Sequence, residues 1–385
     1  MVSKKISAHK YKAATNNAEE RGRHFAAVSS IKNFRCFKDF SMDSFERINL
    51  IGGKNNVGKT TLLEALFLLL GMTNSSNILR INAWRGVETY DGDSASIRET
   101  LWNHLFYNFN NQATITINSE LGIGGQIGVT LKQKAGVPTT LPFSKSSTGK
   151  AAVDSSEVLV QALQIHYTDV SGKTYPVELQ VDAQGRILPS PFVTAKSLFQ
   201  GIIHPALRHP SNQENAIRYG QLELNKAESH YDLVPALKII EPRLNRLSTI
   251  VGASGPMIYG DIGLGRMLPL SMMGDGLVSL ASLLLSISSA SGGVVLIDEI
   301  ENGLHYSVMM KFWQTIAEAS RIFDTQIFAT THSWDCIKAA HEAFQADGLY
   351  DFRYHRLQKA DEIVEAVTLD QNTLQTTIEA GWEIR

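Results

Sequence analysis

The chain has 385 residues, 43% hydrophobic and 19% charged, with a formal net charge of -2. That is an ordinary globular composition, long enough for two or three domains and a normal core. The near balance of charge argues against a general nucleic-acid coat, while leaving room for a local basic groove.

Residues 1–23 are polar and mixed in charge, and are read as a flexible tail, with a basic arm touching nucleic acid as the alternative. Lys4, Lys5, Lys10 and Lys12 have no apolar run behind them, unlike a secretory signal. From His24 the pattern changes. Phe25–Ile31 is predicted as a strand with Phe37–Met42 as its hairpin partner, and Arg47–Ile51 as a short apolar strand ending in Gly52–Gly53. Helical periodicity runs from Lys59 to Leu70, and Gly71 is placed to end it. A helix over Ser94–Phe109 is expected next, then strands over Ala113–Ser119 and Gln126–Lys132. Val137–Glu157 is rich in Ser, Thr, Pro and Gly and is expected to be an exposed loop. Val160–Thr168 and Lys173–Val181 form a predicted hairpin around Ser171–Gly172. The pattern from Ala195 to about Ile250 is helical, broken by Pro205, Pro210 and Pro242.

The last third alternates clearly. Gly276–Ser289, Tyr306–Ser320 and Ser333–Phe344 are predicted helices, Val294–Ile297 and Thr325–Thr330 predicted strands. Phe352–Leu357 and Glu362–Leu369 are expected to be strands before a short final helix. Alternation of this kind implies a largely parallel sheet, with ligands beyond the carboxyl ends of its strands. No run reaches the roughly 18 apolar residues of a membrane span. Cys36 and Cys336 stand far apart and match neither a disulfide framework nor a metal cluster, which points to a reduced, cytoplasmic setting.

Three motifs carry chemistry. Gly53-Lys54-Asn55-Asn56-Val57-Gly58-Lys59-Thr60 fits G-x-x-x-x-G-K-[ST], between a predicted strand and a predicted helix. Glycines let backbone N–H groups turn around a phosphate, and the helix start adds its positive dipole end. Lys59 supplies a cation for the β and γ phosphates, and Thr60 a hydroxyl for Mg²⁺. Next, the apolar strand Val294–Ile297 runs into Asp298 and Glu299. Buried strands fix where their ends point, so Asp298 is assigned to the metal shell. Glu299, expected to point differently because strand residues alternate, is assigned as the base for water. Third, Ile327–Thr330 leads into Thr331-His332-Ser333. A histidine there is often only a helix-cap neighbour. Coming so soon after Glu299, His332 is read as the group that senses the γ-phosphate and polarises the attacking water.

Together these residues resemble a known group. Ile31-Lys32-Asn33-Phe34-Arg35 and Ile51–Leu66 look like the opening of ATPases related to SMC, RecF and OLD proteins. Gly274-Asp275-Gly276, Leu296–His305 and Ala329–Ser333 resemble the second half of the same cassette, and OLD-like ATPases of bacterial defence systems are the nearest pattern. The resemblance implies an α/β ABC-type P-loop NTPase of the AAA class, with a mixed or parallel sheet, an antiparallel β subdomain and an inserted helical lobe. It divides the chain into a tail (1–23), a first ATPase half with the β subdomain (24–185), a helical lobe (186–265) and a second ATPase half (266–385).

The resemblance also implies roles. Arg35 would contact nucleotide phosphates. Gly53, Asn55, Asn56, Val57, Gly58, Lys59, Thr60 and Thr61 would form the phosphate loop. Asp298 and Thr60 would organise Mg²⁺, with Glu299, Lys59 and His332 catalytic. Asn302 and Gly303 would lie in a partner-facing turn. Gly274 and Gly276 would cap the γ-phosphate held by an opposite subunit, although no serine stands directly before Gly274, as the usual signature has it. Gln126 and Gln200 are the candidates for a glutamine loop. About 50 residues follow His332, too few for the Toprim nuclease domain of OLD nucleases.

The implied protein binds and hydrolyses ATP with Mg²⁺. It forms a homodimer or higher homo-oligomer without a membrane partner, and controls a separate, nuclease-like effector, with phage defence as the process. A DNA-repair or chromosome ATPase acting directly on DNA is the alternative. Replacing Lys59 by alanine is expected to remove contacts of roughly 1.5–3 kcal/mol, and so to lower nucleotide affinity about ten- to hundredfold. Titration with a fluorescent ATP analogue measures this.

Overall fold

The computed structural model describes residues 26–71, 74–121, 125–139, 158–182, 185–188, 201–204, 210–253, 255–361 and 363–382. The expected tail, Gln200 and residues 140–157 of the expected loop lie outside these. In chain order the elements are β1 (Ala26–Phe34), β2 (Phe37–Phe40), β3 (Ile48–Gly52), α1 (Lys59–Leu70), α2 (Asn77–Trp84), α3 (Ser94–Leu101), β4 (Ile115–Leu121) and β5 (Gln126–Thr139). There follow β6 (Val158–Thr168), β7 (Thr174–Val181), β8 (Ile187–Leu188), β9 (Gly201–His204) and α4 (Asn212–Leu224), then β10 (Arg246–Gly252), β11 (Gly255–Asp261) and β12 (Leu268–Pro269). The last third holds α5 (Asp275–Ser289), β13 (Val294–Ile297), α6 (Met309–Ile322), β14 (Gln326–Thr330), α7 (Trp334–Asp347), β15 (Phe352–Ala360), β16 (Ile363–Leu369) and α8 (Gln371–Glu379).

The inner sheet has β3, β14 and β13 at its centre as mostly apolar runs because both of their faces are covered. Its order is β16-β15-β3-β14-β13-β9, and every neighbouring pair is parallel except β15 with β16. Side chains alternate between two cores. Ile51, Val294, Leu296 and Phe328 face one, with α1 and the second sheet. Ile48, Leu50, Val295, Ile297, Ile327 and Ala329 face the other, with α5, α6 and α7. The second sheet, β2-β1-β4-β5-β6-β7-β8, is antiparallel throughout. Between the two sheets lies α1, buried from Thr61 to Leu70, so apart from Thr61 and Glu64 it reads as apolar all round. The chain thus forms the expected α/β fold, with a mixed sheet, an antiparallel subdomain and a glycine loop between β3 and α1.

Two local expectations are corrected. The helix predicted over Ser94–Phe109 stops at Leu101. Single 3₁₀ turns follow, broken where Asn108 and Phe109 take φ of 49° and 55°. The stretch 186–265, read as helical, is mixed. Gly201–His204 joins the parallel sheet beside β13, and β10 pairs with β11 as a hairpin. Four apolar-flanked residues carry no period long enough to identify a strand, so tertiary pairing decides. No helix among the described residues is long and apolar enough to cross a membrane.

His355 on β15 is fully buried, with Nδ1 3.0 Å from the Thr368 hydroxyl and Nε2 3.4 Å from Asn49 Oδ1. Burial, helped by the Arg353 charge, pushes its pKa down to about 3. The folded state therefore keeps this ring neutral, while the unfolded chain binds a proton below about pH 6.5. Its contribution is fully present above that pH and is lost as pH falls towards the folded value. Urea unfolding between about pH 6 and about pH 4.5 is expected to show a slope shallower by up to about 1.4 kcal/mol per pH unit in His355→Gln than in wild type.

Candidate active site

Because β3, β13 and β14 lie side by side in parallel register, with Ile51 opposite Thr330 and Ile297 opposite Ala329, their carboxyl ends open on one edge. The phosphate loop leaves β3 there. Gly53 and Gly58 take φ of 137° and 106°, a region in which a side chain is strained. A Cβ on Gly58, the N-cap of α1, would also sit 2.8 Å from Cys36 Sγ. Val57 is buried and anchors the loop, while Lys54, Asn55 and Asn56 are exposed around it. The first turn of α1 carries no acidic residue, so its positive end is not neutralised from within.

Lys59 is half-buried. Its Nζ donates to the carbonyls of Gly53 and Lys54 at 2.7 and 3.0 Å, oxygen acceptors of the kind a phosphate supplies. Burial lowers its pKa, while the charges of Asp298, Glu299 and Glu301 act to raise it. The sequence-distant acids and this cation therefore share one electrostatic site.

Thr60 Oγ1 donates to Asp298 Oδ2 at 2.9 Å. The other carboxylate oxygen accepts from Thr330 Oγ1 at 2.5 Å, and Asp298 N–H donates to the His204 carbonyl at 2.9 Å on β9. Among the described residues no group of three or more His, Cys, Asp or Glu forms a metal cage. A Thr hydroxyl beside one carboxylate suits Mg²⁺, which keeps waters and takes phosphate oxygens rather than an all-protein shell.

Glu299 lies beyond the end of β13 with φ of 53°. This left-handed turn, not strand alternation, separates its direction from that of Asp298. Its N–H donates to Thr330 Oγ1 at 2.8 Å, and its Oε2 accepts from Asn302 Nδ2 at 2.8 Å. One hydroxyl on β14 thus orients both acids. His332 is about half exposed, with Nδ1 3.2 Å and its backbone N 3.0 Å from Glu301 Oε1. Thr330 and Glu301 are absent from the sequence-based site. Their only signals are their places within Ala329–Ser333 and Leu296–His305.

Other predicted residues sit differently. Arg35 has its Nε 2.9 Å from Oε2 of Glu64, a carboxylate on α1 that Arg85 also holds. Glu64 is almost wholly buried. Burial pushes the Arg35 pKa down to about 10, which still leaves a cation near neutrality. The structure therefore uses Arg35 to brace the phosphate-loop helix. Thr61 is buried beside the Cys36 thiol. Gln126 donates to Glu120 within the antiparallel sheet. Gly274 is exposed at the start of α5, and Gly276 packs so closely on the Gly303 carbonyl that a Cβ would lie 2.7 Å away. Among the described residues no hydrogen bond or ion pair joins this turn to the phosphate loop of its own chain.

A family model described as "AAA ATPase domain" matches residues 29–231. A second, whose description opens "AAA domain" and names the AbiEii toxin of a type IV toxin–antitoxin system, matches residues 176–335. The chain is similar to an ATP/GTP phosphatase of Helicobacter pylori, at 24% identity over 361 residues, covering 87% of this chain and 92% of that protein. It also matches the chromosome partition protein Smc of Methanocaldococcus jannaschii at 32% identity over 94 residues, 24% of this chain and 8% of that protein. Among solved structures, an Smc head bound to the C-terminal winged-helix domain of ScpA aligns with a TM-score of 0.47 and 11% identity, over 92% of this chain and 99% of that one.

Thr330→Val keeps the side-chain shape but removes the hydroxyl that orients both acids. Loss of hydrogen bonds of about 1–3 kcal/mol is expected to cut ATP turnover roughly ten- to hundredfold while nucleotide affinity changes little. Phosphate-release rates set beside ATP-analogue titrations check this.

Proposed function

We propose that this chain, which belongs to the AAA ATPase domain family, is a nucleotide-driven switch whose two copies close over ATP to control a separate effector. Its enzyme class is that of the family, an ATPase. The observation that carries the reading is the 2.9 Å contact of Thr60 with Asp298, which sets the phosphate loop against the acid pair.

Hydrolysis here is positioning plus electrostatics. Backbone amides of residues 53–59 hold the phosphates. Lys59 exchanges its two loop carbonyls for β and γ oxygens. Thr60 and Asp298 would hold Mg²⁺, which when bound would supply positive charge to offset that developing on the phosphates. Glu299 accepts a proton from the water whose oxygen bonds the γ-phosphorus, and the bond to the β-phosphate oxygen breaks with its electron pair leaving on ADP. In the resting chain the Glu299 carboxylate accepts a hydrogen bond from Asn302, in the turn next to Gly303. The exposed Gly274 turn packs on that same turn. A copy whose Gly274 and Gly276 meet a partner's γ-phosphate is thereby linked, through its own Gly303 turn, to the element that holds its own base.

A buried polar relay supports an output through the segment around α4. Arg218 and His204 both meet the Ser286 hydroxyl, at 2.8 and 2.6 Å, and Asn215 donates to Ser282. His204 in turn accepts from the Asp298 amide. In and near this segment Ile217, Leu224 and Val251 are exposed apolar side chains, of a kind a protein effector can cover. The OLD-like resemblance supports a nuclease-like effector and a role in phage defence, and the two distant cysteines support a cytoplasmic setting; these complete the proposal.

Light scattering with ATP and Mg²⁺ tests it. Glu299→Gln is expected to bind ATP without hydrolysing it and to run as a dimer, and wild-type turnover per molecule is expected to rise with protein concentration. A trapped protein that stays monomeric, with turnover independent of concentration, rejects trans completion. ATP-dependent DNA binding with a steep salt slope favours direct action on DNA instead.

A further inference from the structure

We propose that Glu301 is a positioning residue that holds His332 as the Nδ1–H tautomer, so that Nε2 is presented as a hydrogen-bond acceptor for the attacking water. This rests on the reading of His332 as a residue of the hydrolytic site.

One oxygen, Glu301 Oε1, contacts both ends of the residue, the backbone N at 3.0 Å and ring Nδ1 at 3.2 Å. Gripping two points fixes the side-chain torsion as well as the ring's edge. The Glu301 side chain is only 10% exposed, while that of His332 is 53% exposed, so the anchor is buried and the imidazole is open. Among the described residues His332 Nε2 has no hydrogen bond. Glu301 Oε2 is buried without a hydrogen-bond partner. A desolvated carboxylate of this kind draws strongly on the donors it does have. Glu301 also lies within electrostatic reach of Lys59, which places it at the site rather than behind it.

The chemical consequence is specific. A neutral histidine carries one ring proton, and the partner of one nitrogen decides the role of the other. A carboxylate cannot donate, so it selects the proton at Nδ1. The remaining lone pair at Nε2 then accepts a hydrogen bond from water, a role a donor to phosphate cannot fill. The water proton itself passes to Glu299, and His332 keeps its single ring proton at Nδ1 throughout. Glu299 then remains the principal base, and His332 steers and polarises the same water.

The test reads the tautomer and the kinetics separately. Nitrogen-15 NMR of histidine-labelled, nucleotide-free wild-type protein near pH 8 is expected to show His332 protonated at Nδ1, and in Glu301→Ala to shift towards the Nε2–H form. In turnover assays Glu301→Ala is expected to lower kcat about ten- to hundredfold, at or below the lower end of the roughly 10²–10⁴ a positioned base supplies, with KM for ATP changed less than about threefold. In a His332→Ala background the same change is expected to cost no more than about twofold. An Nε2–H tautomer in the wild type overturns the proposal, as does a loss that persists undiminished without His332. The wild-type spectrum needs no variant, so it decides even where Glu301→Ala fails to fold. Loss of turnover in Glu299→Gln alongside uncoupled Glu301 and His332 variants rejects this inference alone. Unimpaired turnover in Glu299→Gln rejects the wider reading of the site.

Discussion

The carboxylate of Asp298 is the joint on which the molecule turns. It is held between two hydroxyls, that of Thr60 at the start of α1 and that of Thr330 at the end of β14. Thr60 is 238 residues away in sequence and Thr330 only 32. Each oxygen therefore reports on a different half of the fold. Displacement of either half by a fraction of an ångström alters the geometry of a hydrogen bond that weakens steeply with angle. This is why the arrangement of strands, rather than any single side chain, sets the chemistry at the edge of the sheet.

Two charge clusters flank α1, and they are built on opposite logic. Glu64 is buried and meets two guanidiniums, so its carboxylate is fully engaged by the protein itself. Removing it leaves the largely buried Arg35 guanidinium unpaired, the costly case for interior ion pairs, while Arg85 reaches solvent. At the first residue of α1, three acids act electrostatically on the ammonium of Lys59, which rests on backbone carbonyls instead of a carboxylate. The first cluster is closed and mechanical. The second keeps its charges adjacent but not locked together, which suits exchange of partners during a reaction.

Much of this was legible from residues alone. Ile48–Gly52, Val294–Ile297 and Gln326–Thr330 were recognisable because strands covered on both faces need continuous apolar residues. The phosphate loop was recognisable because its glycines and lysine serve local backbone geometry. What escaped depends on contacts distant in sequence. Gly201–His204 becomes a strand only because β13 offers it an edge. Glu301 and Thr330 acquire their roles from the meeting of two strand ends. Arg35 stands at a position the family pattern gives to nucleotide, yet a glutamate one helical turn into α1 engages it. The divergent signature run around Gly274 keeps a helix start and a close glycine contact, while the serine before it is gone.

The central place of β3 has a consequence for synthesis. Its two neighbours in the sheet are β14 and β15, both in the last 60 residues of the chain. At roughly 5–20 residues per second, about 15–55 s separate release of β3 from completion of its first partner. Through that interval a largely apolar strand waits with both edges bare, a template for mispairing with other nascent chains. The antiparallel sheet and α1, finished earlier, can cover one of its faces but neither edge. Ribosome-bound intermediates of this protein thus have reason to engage chaperones until the C-terminal strands arrive.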